Sequence, residues 1–179
     1  MAAARRISNI ALIGFMGTGK SSVGRSIATQ LHYTYLDTDD VIVARAGKPI
    51  TDIFAQEGEA SFRELERRLV EELVVRTKTV ISTGGGLPLN PANVASLKTH
   101  ALVVCLWASP ERIWEHTRGQ DHRPLLNEPA PLANIRTLLA AREPSYRLAD
   151  VLVNTEMRSV KEVAQQVIHQ YRLAQSAHR

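Results

Sequence analysis

The sequence predicts an α/β domain in which helices cover a parallel sheet. Short apolar runs alternate with longer segments of helical period along the whole chain, and no repeat or low-complexity tract breaks the alternation. The scale agrees: 179 residues suit a single domain, since domains run to roughly 100–200 residues. A chain of that length buries about 70% of its unfolded surface. With 44% apolar and 22% charged residues, 10 glycines and 8 prolines, the composition is neither disordered nor collagen-like.

Five strands are expected, at residues 7–13, 34–37, 79–82, 102–107 and 151–154, each short, rich in Val, Ile, Leu or Tyr, and followed by a turn or helix start. The helices carry their own punctuation. Ser109 can N-cap, Pro110 takes the first helical position and Glu111 adds a favourable charge; Asn90 and Pro91 repeat the arrangement. Ser159 and Glu162 have capping-box spacing ahead of an apolar stripe at Val160, Val163, Val167 and Tyr171. Between residues 59 and 77 lies the longest helical pattern, with Phe62, Leu65, Leu69 and Leu73 on one side. Arg67 and Arg68, among Glu64, Glu66, Glu71 and Glu72, form a mixed charged outer face.

Two stretches read as loops or lids rather than layers. The first runs over about 39–64, with short helices separated by Gly47, Pro49 and Gly58, and the second over about 117–131, where Arg118, Gly119, Gln120, Asp121, His122 and Arg123 precede Pro124. His122 reads as a solvated loop histidine. Both stretches belong to one domain spanning 1–179.

Twenty-two basic residues against 18 acidic ones leave a net charge of +4, which favours anionic partners but is modest beside proteins that wrap nucleic acid. Trp107 and Trp114 read as packing residues, with no aromatic and basic platform around them. Cys105, the single cysteine, lies in an apolar run and reads as an inert buried thiol. No secretory leader is evident and no apolar run approaches the roughly 18 residues of a membrane span. A cytoplasmic monomer is expected, without nucleic-acid or membrane partners.

The chemistry begins at Gly14-Phe15-Met16-Gly17-Thr18-Gly19-Lys20-Ser21, which satisfies G-x-x-x-x-G-K-[ST] between an apolar strand and an amphipathic helix. Glycines let the backbone form a nest of inward N–H groups, the helix N-terminus adds partial positive charge, and Lys20 can reach the β- and γ-phosphates. Gly17, Thr18, Gly19, Lys20, Ser21 and Ser22 are therefore candidate nucleotide contacts. Ser21 offers a hydroxyl to Mg²⁺, which prefers phosphate, water and hard oxygens. A nucleotide site alone would serve a kinase, a motor, a switch or a binding module. No Asn/Thr-Lys-x-Asp guanine-reading motif occurs, and the chain leaves little room for the extra domains of a motor.

Asp37 and Asp39 lie two apart at the expected end of the second strand, so period two turns both toward one cleft and Thr38 away. One acid can hold the hydration shell of Mg²⁺; the other can accept a hydrogen bond, and finally a proton, from a substrate hydroxyl. Asp40 reads as the cap of the following helix, and capping would equally account for all three acids. Gly84-Gly85-Gly86 follows the third strand, where backbone N–H groups can face the crevice in which open α/β sheets bind ligands, or merely form a flexible turn before Pro88. Arg63, four residues after Glu59, is accounted for by a surface ion pair. Arg142, ending a helical run before Pro144, is accounted for by the helix dipole. Arg123 is more suggestive, because phosphoryl transfer spreads charge over equatorial oxygens that a loop arginine can cover. Arg118 or His116 can help hold a nucleotide.

Taken together, Gly14-x-x-Gly17-x-Gly19-Lys20-Ser21, Leu36-Asp37-Thr38-Asp39, Phe62-Arg63-x-x-Glu66, Gly84-Gly85-Gly86, Arg123-Pro124-Leu125-Leu126 and Arg142-x-Pro144-x-Tyr146 resemble the shikimate kinase family, in order, over about residues 9–168. The resemblance implies a nucleoside-monophosphate-kinase-like P-loop fold: a three-layer α/β/α domain with strand order 2-3-1-4-5, a shikimate-binding region after strand two and an arginine lid. It implies ATP plus shikimate giving ADP plus shikimate 3-phosphate, with Mg²⁺, on the route to chorismate and the aromatic amino acids. By position it makes Asp39 the partner of the reacting hydroxyl and Asp37 a magnesium-side acid beside Ser21. Arg63, Arg142 and the glycine run would hold shikimate, and Arg123 would be the lid arginine. The chain departs from the family pattern at His116, where arginine is common seven residues before the lid arginine, and at Ser22, where threonine is usual. The loop at 154–159 is implied to cover the other adenine face. Another small P-loop kinase, such as one for gluconate, or a non-catalytic nucleotide-binding module, are the competing readings.

Overall fold

In the computed structural model, which describes residues 5–118 and 130–177, five parallel strands form one sheet. They are β1 (Asn9–Ile13), β2 (Thr34–Asp37), β3 (Thr79–Ser82), β4 (Ala101–Trp107) and β5 (Val151–Asn154), in the order β2-β3-β1-β4-β5. Every expected strand is found. The first begins at Asn9 rather than residue 7, because Ser8 donates its N–H to the His100 carbonyl ahead of the ladder. In register, Leu12 of β1 faces Ser82 of β3 and Val104 of β4, and Asp37 ends β2 opposite Ser82. The carboxyl ends of three strands therefore finish at one level.

Period-two alternation divides the core between the two faces of the sheet. Ala11, Ile13, Ile81, Val103 and Cys105 face a layer made by α2 (Thr38–Ala46), α3 (Ile50–Glu72), α4 (Pro91–His100), α5 (Pro110–Thr117) and α6 (Pro131–Tyr146). Ile10, Leu12, Val80, Val104 and Leu106 face α1 (Lys20–Leu31) and α7 (Val160–Ala177). Each such buried Val, Leu or Ile contributes about 1.5–3 kcal/mol relative to exposure. The stripe foreseen on α7 seals its layer through Val163, Val167 and Tyr171, all buried, whereas Val160 is exposed.

Three caps are those read from the sequence. Asn90 accepts from the Ala92 N–H, Ser109 from the Arg112 N–H, and Ser159 and Glu162 bond reciprocally as a capping box. Gly58, at φ 82° and ψ 168°, kinks α3 without ending it.

Four expectations change. Strand β2 stops at Asp37, so Asp39 stands in the first turn of α2. Asp37, not Asp40, is that helix's N-cap, accepting from the Asp39 N–H at 3.0 Å. The helix carrying Arg142 does not end before Pro144 but runs through it to Tyr146. Trp107 is 43% exposed at the end of β4, so only Trp114 packs against the core.

Candidate active site

The glycine-rich loop joins β1 to α1 beneath the carboxyl end of β4. Gly14 has φ 140°, and a Cβ there would stand 2.2 Å from the Leu106 carbonyl oxygen, so no side chain can be accommodated. The Thr18 hydroxyl donates to the Phe15 carbonyl at 2.8 Å, closing the loop on itself. The Lys20 ammonium is largely buried and donates to the carbonyls of Gly14 and Phe15, each at 2.8 Å. Gly17, Thr18, Gly19, Lys20 and Ser21 thus form one turn around the amino end of α1, with Ser22 on its exposed side. From α5, the His116 Nδ1 lies 3.0 Å from the Gly17 carbonyl oxygen. Arg118 is the exposed residue that caps the same helix. Arg123 and His122, and most of the stretch 117–131, lie outside the described residues.

Beside the loop, the Ser21 hydroxyl donates to Asp37 Oδ2 at 3.3 Å. Thr38 does not point away. It is fully buried, and its hydroxyl accepts from the Gly84 N–H at 3.0 Å, tying the start of α2 to the loop after β3. No bond within the described residues uses the N–H groups of Gly85 and Gly86.

The glycine run is a bare strip on which three charged side chains rest. A Cβ on Gly84 would meet Asp39 Oδ1 at 2.5 Å, one on Gly85 would lie 3.9 Å from an Arg142 guanidinium nitrogen, and one on Gly86 would meet the Arg63 guanidinium at 2.5 Å. Residues from α2, α6 and α3 are thereby collected along one tight turn, closed where the Leu87 N–H donates to the Gly84 carbonyl. Tyr146, buried at the end of α6, donates its hydroxyl to the Gly85 carbonyl at 3.0 Å and so fixes the strip from behind. The Arg142 guanidinium stacks 5.3 Å from the Phe15 ring centre.

Electrostatics single out Asp39. Burial, reinforced by the neighbouring Asp37 carboxylate, pushes its carboxyl up to about 6 against the pull of Lys20, and its Oδ1 is buried with no partner among the described residues. A carboxylate short of solvent and of donors is a receptive hydrogen-bond acceptor. Arg63 is paired with Glu59 at 2.9 Å, as its spacing foretold, but also with Glu66 at 2.8 Å. Burial works to lower the Arg63 guanidinium, yet the two glutamates hold it above its ordinary value. Glu66 is only 1% exposed, and burial pushes it up to about 7 despite Arg63. Thr38 and Tyr146, to which the sequence reading gave no role, join this constellation. Strand alternation, which would turn Thr38 away, ends at Asp37, and Thr38 opens α2 instead. Cys105 stays outside the chemistry, its buried thiol pushed up to about 12.

Among the described residues no group of three His, Cys, Asp or Glu could hold an ion by itself, and no helix is long and apolar enough to cross a membrane.

The sheet order, the phosphate loop and the acid and arginine residues across from it define a P-loop kinase of the nucleoside-monophosphate-kinase-like kind. A family model described as shikimate kinase matches residues 16–172. A shikimate kinase of Caldanaerobacter subterraneus is 41% identical over 92% of this chain and 96% of its own, and one of Thermus thermophilus is 44% identical over 89% and 87%. Among solved structures, a shikimate kinase from Acinetobacter baumannii in complex with shikimate superposes with a TM-score of 0.86, at 36% identity over 96% of each chain. A gluconokinase from Sinorhizobium meliloti, at TM-score 0.62 and 20% identity over 97% of each chain, shares the fold alone. The chain belongs to the shikimate kinase family and is an ATP-dependent kinase.

Proposed function

We propose that this protein transfers the γ-phosphoryl group of ATP to the 3-hydroxyl of shikimate, releasing ADP and shikimate 3-phosphate. The observation that carries this reading is the array along Gly84–Gly86: two guanidiniums, of Arg142 and Arg63, beyond one poised carboxylate, Asp39. Shikimate combines one carboxylate with several hydroxyls on a ring. The guanidiniums take the former, each charge-assisted contact contributing about 1.5–3 kcal/mol, and Asp39 with the N–H groups of Gly85 and Gly86 addresses the latter.

Asp39 accepts the hydrogen bond of the reacting hydroxyl, orients its oxygen for in-line attack and takes its proton as the O–P bond forms. Lys20 leaves its carbonyl partners for the β- and γ-phosphates, and the P-loop N–H groups hold the polyphosphate tail. Arg123 is assigned to the moving phosphoryl group by its place in the family pattern. The donor set fits Mg²⁺: Ser21 and Asp37 bring two hard oxygens together, too few to cage an ion but suited to one held mainly by phosphates and water. When bound, the ion would neutralise charge shared between the β- and γ-phosphates.

One coupled ADP-release assay tests the assignment. With shikimate, gluconate, AMP or no acceptor, turnover is expected with shikimate alone. Equal ADP release without acceptor, or preference for gluconate or AMP, would overturn it.

A further inference from the structure

We propose that Tyr35 is a positioning residue for phosphoryl transfer, holding the carboxylate of Asp37 toward Ser21 and the P-loop. The inference rests on the reading of Ser21 and Asp37 as the magnesium edge of the site. Tyr35 and Asp37 stand two apart on β2, so their side chains leave the same face of the strand, the one that packs on α1. The Tyr35 hydroxyl donates to Asp37 Oδ2 at 3.2 Å, the oxygen that also accepts from Ser21, while Oδ1 accepts from the Asp39 N–H. An ionised carboxylate offers roughly four lone-pair sites. Three donors from three directions leave one, and its direction is then fixed.

The phenol itself is held in place. A Cβ on Gly24 would come within 2.8 Å of the Tyr35 ring, so α1 approaches it as closely as a bare backbone allows. From the next residue of α1 the Arg25 guanidinium lies over the ring, 5.0 Å from its centre. A ring held against the bare backbone of Gly24 and under a cation, with its hydroxyl on a carboxylate at the phosphate loop, has the build of the outer partners that orient ligating groups. Nothing in its spacing marks it, because a tyrosine in a predicted strand reads as core.

Tyr35→Phe keeps the ring, its fit to Gly24 and its contact with Arg25 while removing the donor. In the presence of saturating ADP, free Mn²⁺ measured by electron paramagnetic resonance reports ion binding to the whole protein without turnover. We expect about tenfold weaker Mn²⁺ binding in this variant, a matching rise in the Mg²⁺ concentration that half-saturates turnover, and a KM for shikimate within twofold of the parent. Unchanged or tighter Mn²⁺ binding, or a loss confined to shikimate KM, would overturn the proposal. Asp37→Asn run alongside separates the two levels. If it weakens Mn²⁺ binding while Tyr35→Phe does not, Tyr35 is the error; if Asp37→Asn has no effect, the magnesium-edge reading fails first.

Discussion

At Asp39, burial and the neighbouring Asp37 and Asp40 carboxylates disfavour the charge that proton abstraction requires, and Lys20 and Arg63 oppose them. An acid whose folded pKa is raised stabilises the fold below its unfolded value, near 3.8, and that contribution is gone once pH rises past about 6. At neutral pH the ionised side chain therefore destabilises the protein, by on the order of 3 kcal/mol. Asp39→Asn keeps the shape and removes the charge. It is expected to raise Tm by roughly 6–12 °C while lowering kcat by about 10²- to 10⁴-fold, as thermal melts and the coupled assay would register. A variant that loses turnover and also melts lower would contradict this account of the residue. The importance of Asp39 was legible as a carboxylate after a short strand, but its placement was not: the alternation argument needed β2 to continue, whereas Asp37 caps a helix there. Glu66 shows the opposite limit, since i, i+3 spacing reveals a partner for Arg63 but nothing in the spacing says that the partner is buried.

Helix α5 meets the P-loop through a missing side chain, as β4 does at Gly14. Gly17 has φ 77°, and a Cβ there would stand 2.6 Å from the Cγ2 methyl of Thr117, a buried residue on the last turn of α5. Helix α5 therefore lies directly on the loop, and His116 from the same turn reaches the Gly17 carbonyl. Gly17→Ala meets two penalties, about 1–2 kcal/mol for the left-handed backbone and the collision with Thr117. We expect at least tenfold weaker binding of an ATP analogue by calorimetry. Thr117→Ser deletes the colliding methyl and keeps a hydroxyl able to donate to the Ile113 carbonyl as Thr117 does. The double variant should thus recover part of the loss, the backbone penalty remaining, and no recovery would mean that contact with α5 does not set the loop's shape. The elements themselves were legible almost to the residue, because period, caps and strand composition agreed. What failed at this scale was punctuation: Pro144 was read as a stop, yet α6 continues for two residues past it and delivers Tyr146 to the glycine run. Helix α5 was foreseen from its Ser109-Pro110-Glu111 start, but a sequence carries no mark of which glycine another helix will touch.

Across the whole molecule the two rims of the sheet are built differently. The carboxyl rim gathers under-satisfied charge, while the amino rim is closed by a buried polar cluster. There Asn9, fully buried, accepts from the Thr79 N–H at 2.9 Å through Oδ1 and donates to the Arg76 carbonyl at 2.7 Å through Nδ2, linking β1 to the start of β3. The same Nδ2 lies 2.8 Å from His100 Nδ1 at the end of α4. Because Oδ1 is committed to an N–H, Nδ2 must face the ring as a donor, so Nδ1 is the acceptor and His100 is neutral with its proton on Nε2. Burial first, and then Arg5, lower the pKa of His100 accordingly. Its contribution to stability is complete above the ordinary histidine value near 6.5 and is lost as pH falls below it, because the imidazolium is favoured in the unfolded chain. Asp150, on the same rim, is separable. Burial works against its charge, but Arg5, the Val103 N–H and Lys98 hold it below the usual carboxylate range, so its contribution fades only at more acid pH. Between pH 7.5 and pH 5.5 the loss at His100 is set against the gain from protonating Asp39 and Glu66, which the parent and His100→Asn share, so urea unfolding should show acidification favouring the variant over the parent: its Asn Oδ1 can accept from Asn9 but cannot take up the proton. Turnover at pH 7.5 should be unchanged in the variant, since the cluster stands at the far end of the strands from Asp39. An equal change in stability between the two pH values in both proteins would show that His100 is not the group through which acid loosens this rim.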